Sequence, residues 1–337
     1  MKTLLASLLS VFALGAVDYT QNGENWASTA GNELCGTGTR QSPIDLTDDD
    51  KVCGGDSLDL SLANYVDYNS LEVENKGYTI QFNLPPAQDN GRMTRLFKSG
   101  GESEFEAVQF HAHAPSENTI NGEHMDLEIH FVHQYVGGGL GGVLAVMFDT
   151  EVGGDAENLF IEQLINGAWP ADGNSVSNRA VFVDGFLTNS IDTKEFWSFD
   201  GSLTTPPCTE GIKWTVLKKV QSISASQLAR WTDLWAGDNA FAGGNGNNRA
   251  VQPRNDRDVY LRGKRDKDDD KKTTIIILSV FLGVCAASCL LMLLPLTVQS
   301  AILGCICSLA CFRRFKRARG TNNQVGGEVK AAEHDHN

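Results

Sequence analysis

The chain has 337 residues, 41% of them hydrophobic and 21% charged, with 28 Lys/Arg against 42 Asp/Glu and a formal net charge of -14. That apolar content excludes a wholly disordered chain. The acidic balance excludes a nucleic-acid partner, because phosphate binding needs a basic face.

The first element is the N-terminal run MKTLLASLLSVFALGA. Lys2 supplies a positive start, an apolar stretch runs from Leu4 to Leu14, and small residues follow. Residues 1–16 therefore read as a secretory signal peptide.

Residues 17–261 then read as one β-rich domain carrying 15 Lys/Arg against 35 Asp/Glu. Short alternating runs such as SLEVENKGYTIQFNL, EAVQFHAH, LEIHFVHQY, GVLAVMFD and IKWTVLKKV are separated by Gly, Asn, Asp and Pro. Alternation of this length is the strand signature. Two short helices are predicted, in DAENLFIEQLING and in SASQLARWTDLWA, the second with Ser224 or Ser226 as N-cap.

The middle of the domain holds a histidine constellation. Side chains alternate across a strand, so EAVQFHAH puts Gln109, His111 and His113 on one face and Phe110 and Ala112 on the other. LEIHFVHQY puts Glu128, His130 and Val132 together. If the two strands are neighbours, three imidazoles converge and leave a fourth position open, the layout of a catalytic zinc site. Gln109 and Glu128 are then placed to accept the second ring N–H of a ligating histidine. His-x-His followed four residues later by a glutamate also fits a cupin metal site, in which Glu117 would bind iron or manganese. His124 and His133 have no evident task.

After the domain comes a charged linker, RGKRDKDDDKK (residues 262–272). Residues 273–294 then carry no charge. As a helix they span about 33 Å, enough for a bilayer core. The apolar stretch continues past Pro295 to Phe312, so 273–312 is read as one tilted or Pro-kinked span, with a two-span hairpin as the alternative. The basic run RRFKRAR opens a tail, residues 313–337, that the positive-inside rule places in the cytoplasm. Three cysteines, Cys35, Cys53 and Cys208, precede the span, in a compartment where disulfides persist.

Five segments together resemble the α-class carbonic anhydrases: QSPIDL, FHAHAPSENTINGEH, LEIHFVH, GSLTTPPCTEGIKWTV and NNRAVQPRNDR. They come in that family's order over residues 19–261. The resemblance implies a mainly β, α+β fold with a large twisted, mostly antiparallel central sheet and short peripheral helices. It implies reversible hydration of carbon dioxide to bicarbonate, with Zn2+ held by His111, His113 and His130. It places Gln109, Glu128 and Asn247 behind those ligands. It makes Thr204 the hydroxyl that orients the nucleophile and passes a hydrogen bond to Glu117, and Thr205 a holder of bicarbonate. Val132, Val146, Leu203 and Trp214 become the apolar pocket for carbon dioxide. Cys35 and Cys208 match positions bridged in secreted members, with Cys35–Cys53 as the local alternative. Tyr78 stands where many relatives carry a proton-shuttling histidine, which implies a slower, buffer-dependent proton step. The leader and the span add a single-pass, type I membrane protein, with its catalytic domain extracellular or lumenal and a bicarbonate transporter as the partner such an enzyme implies. The rival reading is a catalytically silent adhesion or receptor module of the same fold.

Overall fold

The structure, a computed structural model, describes residues 17–53, 58–85, 90–97, 101–234 and 246–263. The leader, most of the charged linker, the C-terminal apolar run and the tail lie outside the described residues. Among those described, no helix is long and apolar enough to cross a membrane.

Ten strands form the path of the main sheet: Lys51–Cys53 (β1), Asp67–Asn75 (β2), Ile80–Asn83 (β3), Glu102–His113 (β4), Leu127–Tyr135 (β5), Leu140–Asp149 (β6), Ser175–Phe182 (β7), Phe196–Ser202 (β8), Glu210–Leu217 (β9) and Val259–Arg262 (β10). Their order across the sheet is β7-β2-β3-β4-β5-β6-β9-β8-β10-β1. Neighbours run antiparallel except at β6–β9 and β10–β1. The expected large, mostly antiparallel sheet is thus a mixed one with three parallel contacts, the third between β6 and the short strand Gln221–Ser222. Short strands at Asp59–Ala63, Arg92–Leu96 and Gln221–Ser222 attach to this path.

Among the described residues three short α-helices accompany the sheet: Leu34–Thr37 (α1), Leu159–Ile165 (α2) and Ala225–Thr232 (α3). The side chain of Asn158 caps α2 by accepting from the N–H groups of Phe160 and Ile161. Ser224 caps α3 in a capping box with Gln227, which resolves the two candidate caps in favour of Ser224. The apolar faces of α2 and α3 enter the large core, whereas Cys35 of α1 packs in a separate small cluster with Tyr19, Trp26 and Cys208. Phe160, Ile161 and Leu164 of α2 and Trp231 of α3 pack there with Phe82, Phe110 and Phe131 of the sheet. Each such ring is fully or nearly fully buried, a gain of about 1.5–3 kcal/mol apiece.

A second core lies on the other side of the central strands and contains Val132, Val143, Ala145, Trp197 and Trp214. The functional side chains emerge on this side. The alternation read in EAVQFHAH holds: Phe110 and Ala112 face the large core, while His111 and His113 face away from it.

Candidate metal centre

The three histidines meet because of register. In the β4–β5 ladder His130 stands opposite His111, and Glu128 opposite His113. Directly opposed residues of an antiparallel pair project from the same face. One ligand nitrogen from each of His111, His113 and His130 lies within 4.8 Å of the others. A tetrahedral zinc with Zn–N bonds near 2.0–2.1 Å asks for a spacing of about 3.3 Å, so the set is compact enough to hold one ion.

Each ring is held through its other nitrogen. His111 Nδ1 pairs with Gln109 Oε1 at 2.8 Å. His113 Nδ1 pairs with the backbone carbonyl of Asn247 at 2.8 Å. His130 Nε2 lies 3.0 Å from Glu128 Oε1, with its N–H not aimed squarely at the oxygen. The buried Nε2 of His113 has no hydrogen-bond partner. With Nδ1 engaged on Asn247, this buried nitrogen is the one His113 can offer a metal. Burial, then the like charges of His113, His130 and Lys76, hold His111 well below the ordinary imidazole value. Burial lowers His113 as well. Neutral imidazoles are the form that binds a metal.

Glu117 is not part of the ligand set. Its Oε1 accepts the Arg249 N–H at 2.9 Å and stands 3.5 Å from His113 Nδ1. Its Oε2 is 3.9 Å from His130 Nδ1 and makes no full hydrogen bond. Among the described residues the compact ligand cluster holds the three histidines without Glu117, which goes against the cupin reading. Burial pushes the Glu117 carboxyl up to about 7, opposed by His130, the Thr204 side chain and the Arg249 N–H. Burial also works against the Glu128 carboxylate, yet His130 and the amides of Asn118 outweigh it and hold its pKa down.

A cavity of about 200 Å³ opens over the histidines, lined among others by Tyr78, Val132, Val143, Leu203, Thr204, Thr205 and Trp214. Seven expected residues thus lie with the three ligands: Tyr78, Thr204, Thr205, Val132, Leu203, Trp214 and Gln109. Val146 does not. It pairs with Ile129 in the β5–β6 ladder, whereas Val132 pairs with Val143. Parity sends Val146 into the large core and gives its expected place to Val143. Asn247 acts through its backbone carbonyl on His113, while its side chain ties Ala114, Tyr78 and Ala112 together.

Other residues that build the site were not singled out from the sequence. Thr79 and Gln81 line the cavity. Gly246, at φ +90, lies so close to Ala114 O that a Cβ would stand 2.1 Å from it, which lets Asn247 reach His113. Arg249, 1% exposed, donates to Gln41 Oε1, Ser42 O and Cys35 O at 2.7–2.9 Å. Ser42 and Ser202 bond reciprocally through backbone N–H and hydroxyl. QSPIDL is thus a brace beneath the Thr204 loop. The Cys35–Cys208 disulfide is present, with 5.1 Å between Cα atoms, and it anchors that loop where Cys208 N bonds Thr205 O at 2.9 Å. The Cys35–Cys53 alternative is thereby excluded. Of the two histidines without an evident task, buried His133 bonds Tyr65 Oη through Nε2 at 2.7 Å, and His124 Nδ1 bonds Ser116 O at 2.6 Å.

Comparison with known proteins gives the same picture. The family model for eukaryotic-type carbonic anhydrase matches residues 21–263. A carbonic anhydrase of Klebsiella pneumoniae is 34% identical over 70% of this chain and 86% of its own. One of Pectobacterium carotovorum is 33% identical over 76% of this chain and 97% of its own. Among solved structures, the α-carbonic anhydrase of Photobacterium profundum superposes with a TM-score of 0.56 at 32% identity, covering 71% of this chain and 95% of that one.

Proposed function

The chain belongs to the eukaryotic-type carbonic anhydrase family and is a carbonic anhydrase; from that premise we propose that it hydrates carbon dioxide with a zinc ion held by His111, His113 and His130, on the extracytoplasmic side of a membrane. The observation that carries the zinc is the triad itself: three imidazoles gathered on one face, with no carboxylate among them.

When bound, zinc lowers the pKa of a water molecule to about 7, a value for which this family is the reference case. The chain's own residues do the rest. Val132, Val143, Leu203 and Trp214 give carbon dioxide a dry wall, which suits a substrate that needs no hydrogen bond. Glu117 takes the Arg249 N–H on Oε1, which leaves Oε2 for the Thr204 hydroxyl. A Thr204 that donates to Glu117 can only accept from the nucleophile, and so aims a lone pair at the carbon. Thr205, beside it, holds bicarbonate.

The leader and the uncharged run at 273–294 support a type I, single-pass anchor with the catalytic domain extracellular or lumenal. A bicarbonate transporter in the same membrane is the partner such a placement favours. A silent adhesion module is the weaker reading, because all three histidines, Glu117 and Thr204 are present.

The test is carbon dioxide hydration by the purified protein before and after chelation. Activity that disappears with the chelator and returns with zinc, at one zinc per chain, is the expected outcome. Full activity in metal-free protein, or return with iron or manganese but not zinc, contradicts the proposal.

A further inference from the structure

The three ligand rings are not held alike. Neutral oxygens hold two of them, the Gln109 amide for His111 and the Asn247 backbone carbonyl for His113. The third, His130, has a carboxylate behind it, with Glu128 Oε1 3.0 Å from Nε2. Hydrogen bonds to an ionised acceptor are roughly twice as strong as neutral ones, so the way this carboxylate is turned weighs heavily on the ring. Glu128 and His130 are two residues apart on β5 and therefore share a face. That parity brings the carboxylate to the ring but does not orient it, because the terminal torsion of a glutamate is broad.

Asn118 supplies the orientation, from both sides of the group. Its backbone N–H donates to Glu128 Oε2 at 2.9 Å, and its side-chain Nδ2 donates to Oε1 at 2.8 Å. The Glu117 N–H adds a bond to Oε2 at 2.7 Å. An ionised carboxylate has about four lone-pair positions. The amides fill three of them, and the one left on Oε1 is the one that meets His130.

The clamp is itself held in place. Asn118 Oδ1 accepts the Ile44 N–H at 3.0 Å. A flipped amide would set oxygen against the carboxylate and NH2 against that N–H, so only one orientation fits. The Asn118 carbonyl accepts the Ser116 hydroxyl at 2.7 Å, and Ser116 Oγ accepts the Met125 N–H at 2.9 Å. Ser116, Asn118 and Glu128 are all 0% exposed, so bulk water does not stand in for a missing donor. Through Ile44, the QSPIDL segment that braces the Thr204 loop also reaches the metal centre.

We infer that Asn118 is a positioning residue for the metal centre: it fixes the Glu128 carboxylate in the orientation that holds the His130 ring. The inference rests on the zinc reading above.

The test follows zinc release into excess chelator from zinc-loaded full-length wild type, Asn118→Leu and Asn118→Ser. Leucine has nearly the same shape and no donor, and serine is too short to reach Glu128; both keep the backbone N–H. Each variant should release zinc about tenfold faster or more. The cobalt-substituted variants should also show altered visible absorption, a signature of ligand geometry that a loss of stability alone does not move. Melts of the metal-free proteins measure stability separately. A folded variant that matches wild type in release and in cobalt spectrum overturns the inference. Faster release that tracks metal-free stability, with the cobalt spectrum unaltered, overturns it as well. Should Asn118→Leu not fold, Asn118→Ser decides. Wild type that takes up no zinc refutes the zinc reading and this inference together, whereas wild type that holds zinc no better than the variants refutes this one alone.

Discussion

Tyr78 sits at the cavity through which the reaction's proton must leave. Burial, together with the charge of Glu74, holds its hydroxyl above the ordinary tyrosine value, far from the neutral range where a relay works best. Turnover in weak buffer is therefore expected to rise with buffer concentration. Tyr78→His should raise the weak-buffer rate by about tenfold or more, with little change in concentrated buffer; equal rates in both proteins would remove Tyr78 from the proton path. His133 makes a different prediction. Burial holds it down at about 4, against about 6.5 in an unfolded chain. Its folded-state value is lowered, so between those limits the unfolded chain binds the proton first. Its contribution is complete above pH 6.5 and falls with pH by about 1.4 kcal/mol per unit. Glu117 has the opposite sign. Its value is raised to about 7, so its contribution is complete below about 4.5 and is lost as pH rises through 7. Glu117 is common to wild type and His133→Gln, so a comparison of the two cancels it. Urea melts should show the stability gap narrowing from pH 7 to pH 5; a gap independent of pH would refute the buried-neutral assignment.

Among the elements, β6 shows where reading a strand alone stops. GVLAVMFD is apolar at nearly every position, so no polar residue marks which face is which. The ladder to β5 decides it, since Val143 opposes Val132 and Val146 opposes Ile129. Two valines three residues apart therefore point to opposite faces, and their substitutions should separate. Val143→Phe should block the carbon dioxide wall and lower kcat/KM by ~10²-fold or more with little loss of stability. Val146→Ala should cost about 2 kcal/mol of stability, as a core truncation does, and leave kcat/KM near wild type. Hydration kinetics and denaturant melts on both variants check this, and the reverse pattern would mean that the register is wrong. The histidines of β4 and β5 were legible because polar residues alternate there with apolar ones. The same alternation placed Gln109 and Glu128 beside the ligands.

For the whole molecule, the Cys35–Cys208 disulfide joins residues 173 apart in sequence, next to the loop that carries Thr204 and Thr205. Closing so long a loop constrains the unfolded chain strongly in the chain-entropy account. Cys35→Ser with Cys208→Ser should lower stability by about 2–5 kcal/mol and, because the loop loses its anchor, lower kcat/KM as well. Thermal melts and hydration assays under oxidising conditions check both parts; a variant as stable and active as wild type would show that QSPIDL and Arg249 suffice to hold the loop. Arg249 is the brace that sequence reading passed over. Its partners Gln41, Ser42, Cys35 and Glu117 lie far from it along the chain, and a lone arginine carries no sign of burial.

The sequence by itself determined the β-rich class, the face that each histidine shares and, through five segments in order, the family. These are local properties, since strand parity and motif spacing are written within a few residues. Only the tertiary structure decided which strand stands beside which, that Val143 and not Val146 walls the cavity, that Asn247 serves through its carbonyl, and that Arg249 braces the Thr204 loop. Each of these depends on register between strands or on contacts between distant segments. A one-residue shift in pairing reverses every side chain, and an apolar strand carries nothing of its own to say which way it faces.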